Sequence, residues 1–124
     1  MATEDVANRL VQLCRKGKNK KAIDELYSKD IVSIEPVAGP AGGAVTEGIE
    51  GVRKKAEWWE ENNEVHSAEI SKPMVGRGEF AVRMEYEVTF KPTGQRNKMV
   101  EMAHYKVKKG KIVEEQFFYH MPGA

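Results

Sequence analysis

Apolar residues recur every three or four positions through the first part of the chain. Val6, Ala7, Leu10, Val11, Leu13 and Cys14 fall on one stripe and predict an amphipathic helix, with Gly17 as its stop. Ala22, Ile23, Leu26 and Tyr27 repeat that spacing in a second, shorter helix. Residues 31–35 read as a short strand ended by Pro36. The stretch VAGPAGGAVTEG, 37–48, is too rich in glycine and proline for helix or strand, and connections that long often rim a site. Helical spacing returns over 49–62, where Ile49, Val52, Ala56 and Trp59 share a face and Trp58 points roughly opposite Ile49.

The period then changes to two. Residues 65–75, 80–90, 98–107 and 112–120 predict four strands, with short turns at 76–78, 92–95 and 108–110. Helix, helix, strand, helix and then consecutive hairpins define an α+β domain with an antiparallel sheet. A four-residue PTGQ loop pairs Lys91 with Arg96 and Tyr86 with Glu101. A three-residue KKG loop, with a bulge at Gly110, pairs Tyr105 with Val113 and Ala103 with Glu115. One face then collects Val82, Met84, Tyr86, Val88, Met99, Ala103, Tyr105, Val107, Val113, Phe117 and Tyr119. The other collects Arg83, Glu85, Glu87, Lys98, His104, Lys106, Glu114 and Gln116.

Two carboxylates break the apolar face, Glu101 and Glu115. A buried carboxylate needs a partner or a raised pKa. Either each accepts hydrogen bonds from Tyr86, Tyr105, Tyr119 or a helix terminus, or both line a cavity and titrate near neutrality. Glu35, where Pro36 turns the chain into the glycine-rich stretch, is a third candidate. His66 alternates with Ala68 and Ile70 and is expected to face inward near the end of the third helix, whereas His104 and His120 fall on the polar face.

Composition narrows the classes. The 124 residues are 40% hydrophobic with a net charge of +1, which suits one domain over 1–124 and excludes a disordered chain. Near-neutral charge removes the footprint of a dedicated nucleic-acid binder, and no apolar run approaches the ~20 residues of a membrane span. The basic run RKGKNKK at 15–21 reads as a solvated turn after the first helix. The single cysteine, Cys14, excludes an internal disulfide and lies on the apolar stripe as a buried, inert thiol. An acidic N-terminus unlike a secretory signal leads us to expect a cytoplasmic protein. Metal-ligand spacings, nucleophile elbows and phosphate or dinucleotide loops are absent, so neither metal nor cofactor is expected.

LYSKDIVSIEPV, GIEGVRKKAEWW and KGKIVEEQFFY, in this order of elements, resemble SnoaL-like proteins of the nuclear-transport-factor-two-like superfamily. The resemblance covers nearly the whole chain. It implies a cone: a curved antiparallel sheet around three helices, with an internal pocket and frequent homodimerisation through the sheet. In the steroid isomerases of that superfamily an acidic general base precedes Pro-Val, the place of Glu35 before Pro36 and Val37. The two proton donors of those enzymes would fall at Leu10 and Ala103, neither of which can donate. An oxyanion-hole donor is worth about 3–4 kcal/mol, so that mechanism does not transfer unchanged.

From the register and the resemblance together, Glu35 is the expected base, with Tyr105, Glu101 or Glu115 as donor. Trp59, His66, Tyr86, Phe117 and Tyr119 are expected around a small apolar ligand. Val100, Met102, Ile112 and Phe118, which interrupt the polar sheet face, together with Trp58 are expected at a homodimer surface. A non-catalytic accessory domain that docks a protein partner is the alternative.

Overall fold

A computed structural model describes residues 1–39 and 42–120; Pro40 and Ala41 of the glycine-rich stretch lie outside the described residues. Helices α1 (Thr3–Arg15) and α2 (Asn19–Leu26) lead into β1 (Tyr27–Ile34), a short β2 (Val45–Glu47) and helix α3 (Ile49–Asn62). Then come β3 (Asn63–Ile70), β4 (Met74–Val75), β5 (Glu79–Phe90), β6 (Gln95–Lys108) and β7 (Lys111–Phe118). The strands form one curved, unclosed sheet in the order β2-β1-β7-β6-β5-β3, with β4 following β3 along the edge of β5. The fold is α+β, as expected. One pairing departs from the antiparallel rule: β1 lies parallel to β7, with Ser33 beside Glu115.

Helix α1 turns its apolar stripe onto the concave side, burying Val6, Ala7, Leu10, Val11, Leu13 and Cys14. Burying an aliphatic side chain of this kind contributes about 1.5–3 kcal/mol. α2 adds Ala22, Ile23 and Leu26, and α3 adds Val52 with half-buried Trp59. Across the outer face, ion pairs join Lys98 to Glu85 at 3.0 Å and Lys106 to Glu114 at 3.3 Å. No described helix is long and apolar enough to cross a membrane.

Several expected boundaries and pairings move, each for a local reason. Tyr27 opens β1 instead of closing α2. Val45–Glu47, inside the stretch read as irregular, pairs with Val32–Ile34 as an edge strand. The single strand expected over 65–75 is broken at Ser71–Pro73, where the Ser71 hydroxyl accepts from the Arg83 backbone N–H at 2.8 Å. In the first hairpin Gly94 takes φ +70° as the last loop residue, so Phe90 pairs with Gln95 and Met84 with Glu101. In the second, Lys109 and Gly110 both take positive φ, the twist-matched two-residue turn, and Tyr105 pairs with Glu115. Both registers are displaced by two residues from the expected ones, which preserves the faces of Glu101 and Glu115. The bulge in the second hairpin falls after Ile112, which is fully buried and is therefore no part of a dimer surface.

Candidate acid–base site

Alternation along β1 sends Ile31 and Ser33 into the interior, both with no exposed surface, and carries Glu35 to the rim. Glu35 is held there by its backbone N–H, which donates to the Ala44 carbonyl at 2.7 Å and ties the two ends of the glycine-rich stretch together. On α3, Lys55 and Trp59 stand one turn apart and so share a face. The Lys55 ammonium donates to Ser33 Oγ at 2.5 Å and to Glu35 Oε1 at 3.1 Å, while the Phe117 ring lies 5.5 Å from Nζ. Tyr119, just beyond β7, donates its hydroxyl to Glu35 Oε2 at 2.9 Å.

Beneath this layer, Glu115 is only 3% exposed. It accepts hydrogen bonds from the Tyr27 hydroxyl and, at 2.7 Å, from Ser33 Oγ. Its partners are thus Tyr27 and Ser33, not the three tyrosines suggested by the strand pattern. Ser33 accepts from Lys55 and donates to Glu115, linking the two layers. Tyr105 is fully buried and stacks on Phe80 with ring centroids 4.8 Å apart.

Three carboxyls share one ammonium, and two of them, Glu101 and Glu115, are displaced upward. Burial pushes Glu101 up to about 7, the charges of Glu35 and Glu115 push the same way, and Lys55 opposes them. Burial also raises Glu115, partly offset by Tyr27, Lys55 and Ser33. Tyr119 is raised by burial and by Glu35, and Tyr27 and Tyr105 are raised by burial and by Glu115. Cys14 is pushed up to about 12, chiefly by burial, so its thiol stays protonated and unreactive at neutral pH.

A cavity of about 140 Å³ opens above Glu35, walled by Val37, Lys55, Trp58, Trp59 and Tyr119 and by glycines of the 37–43 stretch. Of the residues expected around a ligand, Glu35, Trp59 and Tyr119 line this cavity. Tyr86 backs it through Trp59, with ring centroids 5.7 Å apart, and Phe117 lies against Lys55. Glu115 and Tyr105 sit in the interior behind it, Glu101 is half-buried on the concave face of β6, and none of the three forms its wall.

His66 is a correction: it is exposed on the outer face and bonds Thr89 Oγ1 at 2.7 Å. The β3–β5 register slips between Val65 and Ser67, so the bulge at His66 reverses the parity that alternation implied. Lys55, Ser33 and Tyr27 were not singled out from sequence. The available signal for Lys55 was its place three residues after Val52 and four before Trp59, within the apolar stripe. Among the described residues no group of three or more His, Cys, Asp or Glu side chains is arranged to hold a metal ion.

Three helices seated in a curved, unclosed sheet define a cystatin-like cone, and a Xanthomonas campestris protein of cystatin-like fold shares this shape. That protein is 19% identical, with a TM-score of 0.78 over 98% of this chain and 92% of its own. The family follows from the sequence itself: a model of the SnoaL-like domain matches residues 1–119, and the chain belongs to that family. A candidate SnoaL-like polyketide cyclase from Mesorhizobium loti, also labelled a carbohydrate phosphatase, is 40% identical. It superposes with a TM-score of 0.90 over 96% of this chain and 100% of its own. A nuclear-transport-factor-two-like protein from Burkholderia thailandensis shares the fold at 16% identity, with a TM-score of 0.80 over 97% of this chain and 92% of its own. No curated protein sequence matches the chain.

Proposed function

We propose that this domain binds a small apolar carbonyl compound and moves a proton on it, by isomerisation, cyclisation or dehydration, with Glu35 as the proton acceptor. One observation carries the reading: Glu35 stands on the cavity wall with one donor on each carboxylate oxygen. A carboxylate offers about four lone-pair positions, so two stay available to a substrate proton after Lys55 and Tyr119 have bonded. Glu101, raised to about 7, lies behind the cavity wall and with Glu115 and Tyr105 shapes the field there. The candidate cyclase name of the Mesorhizobium loti protein favours carbonyl chemistry. Proton transfer of this type needs no cofactor.

The cavity also limits the ligand. At about 140 Å³ it is below the ~300–1,000 Å³ of pockets that enclose drug-sized molecules. One ring or one carbonyl-bearing end enters, and any remainder lies across Trp58 and the glycine-rich rim. Thermal-shift screening against steroids, polyketide-like aromatics and small ketones tests this. A small cyclic or aromatic ketone should raise the melting temperature, and Glu35→Gln should keep that shift while losing exchange of the ketone's α-protons with solvent. Absence of stabilisation by every compound refutes the reading. The exposed residues Val100, Met102 and Phe118 favour a second one, an accessory domain whose sheet face binds a partner, the first candidate being a second copy of this chain. Co-purification of a different protein, with no ligand shift, would select it.

A further inference from the structure

Proton abstraction beside a carbonyl leaves negative charge on oxygen, and that charge needs a donor inside the cavity. Glu115 has both oxygens engaged by Tyr27 and Ser33, and Tyr105 is packed against Phe80. Neither they nor Glu101 lines the cavity. Tyr119 does, but its hydroxyl proton is directed at Glu35 Oε2. Lys55 is different. An ammonium carries three N–H donors. Ser33 and Glu35 take two of them, and the third has no oxygen or nitrogen acceptor among the described residues.

The geometry points to Lys55 as the residue that binds the substrate's carbonyl oxygen and stabilises the oxyanion formed when Glu35 takes the neighbouring proton. This rests on the proton-transfer reading above. The electron balance closes within the site. The α C–H bond breaks and its proton goes to a Glu35 oxygen. The C–H electron pair becomes the new C=C bond, and the C=O π pair moves onto oxygen as an enolate. Where the substrate carries a β,γ C=C, the enolate extends into a dienolate. Return of the proton from Glu35 to the γ-carbon, with the oxygen's pair re-forming C=O and the double bond moving to α,β, completes an isomerisation.

Lys55 is placed for this exchange because both negative charges adjoin it. Before transfer, its counter-charge is Glu35 at 3.1 Å; after transfer Glu35 is neutral and the enolate oxygen takes over that role. One ion pair is replaced by another around an ammonium that stays in position, with Ser33 and Glu115 anchoring it from below. The substrate class is therefore a ketone or related carbonyl with an acidic α C–H, bound oxygen-first toward α3.

The test uses 4-nitrophenol, a one-ring enolate mimic whose ionised form absorbs in the visible, at a pH where it is mostly neutral in water. Glu35→Gln imitates the base after it has taken its proton. That variant should bind the probe ionised and more tightly than the parent. Adding Lys55→Met should return the probe to its neutral form and weaken binding about tenfold or more. Lys55→Gln repeats the comparison if Lys55→Met does not fold. An ionised fraction unchanged by either Lys55 substitution overturns the assignment, as does failure of the Glu35→Gln protein to bind the probe at all. Ionisation that depends on Lys55, in a protein that never exchanges a ketone's α-protons, supports the Lys55 site and refutes Glu35 as base, so the two failures are distinguishable.

Discussion

Glu101→Gln should stabilise the domain above pH 7 and leave its stability unchanged below pH 4. In the folded protein, burial and the neighbouring Glu35 and Glu115 charges raise this carboxyl from 4.5 to about 7. An unfolded chain releases the proton near 4.5. Between those two values the folded state holds a proton that the unfolded state has lost, so stability falls as pH rises through the window. Below it both states are protonated and nothing is lost; above it both are ionised and the full penalty applies. At about 1.4 kcal/mol per pH unit, the difference between 4.5 and about 7 amounts to about 3 kcal/mol. Glutamine keeps the shape and cannot ionise, so it removes the penalty. For a chain of this length, about 3 kcal/mol corresponds to roughly 10–15 °C in melting temperature. Calorimetric melts of both proteins from pH 4 to pH 9 read this directly. The two curves should coincide in acid and diverge through the window. A difference independent of pH would refute the argument, because a mere packing change would act at every pH. Part of the Glu101 shift comes from the Glu35 and Glu115 charges, so that part of the gain depends on those neighbours staying ionised.

Two further outcomes follow from the layer beneath and from the outer face. Glu115→Ala leaves the Tyr27 and Ser33 hydroxyls without their acceptor in the core and should cost about 2–4 kcal/mol in urea unfolding, with Glu115→Gln costing less; an alanine variant as stable as the parent would show that the buried carboxylate holds nothing together. Met102 and Phe118 are cross-strand neighbours on the outer face, exposed by 43% and 50%, so the chain should sediment as a dimer at micromolar concentration and Met102→Glu should dissociate it; a parent protein that sediments only as a monomer rejects the interface.

What the sequence made legible, and what it hid, both follow from the period of a strand. Glu101 and Glu115 were identifiable as carboxylates of the concave face although both hairpin registers differ from the expected ones, because an error of two residues preserves every side chain's face. His66 and Ile112 were misplaced because a bulge inserts a single residue and reverses parity, and a bulge leaves no mark in the apolar pattern. Strand β2 depends on Val32–Ile34 as a partner, a pairing that local composition does not express.

Lys55 shows a different limit. A lysine at the margin of an apolar stripe is ordinarily read as a solvated neighbour whose stem covers the core. Here Ser33 lies within reach of its head group, and Ser33 is there because the parallel pairing sets it beside Glu115. That pairing joins the first strand to the last, across more than eighty residues. Glu101 and Glu115 could be found from alternation alone because each is anomalous on its own strand, whereas Glu35 was marked by its place before Pro36 and Val37. The lysine becomes a site residue only when the first strand, the third helix and the last strand meet.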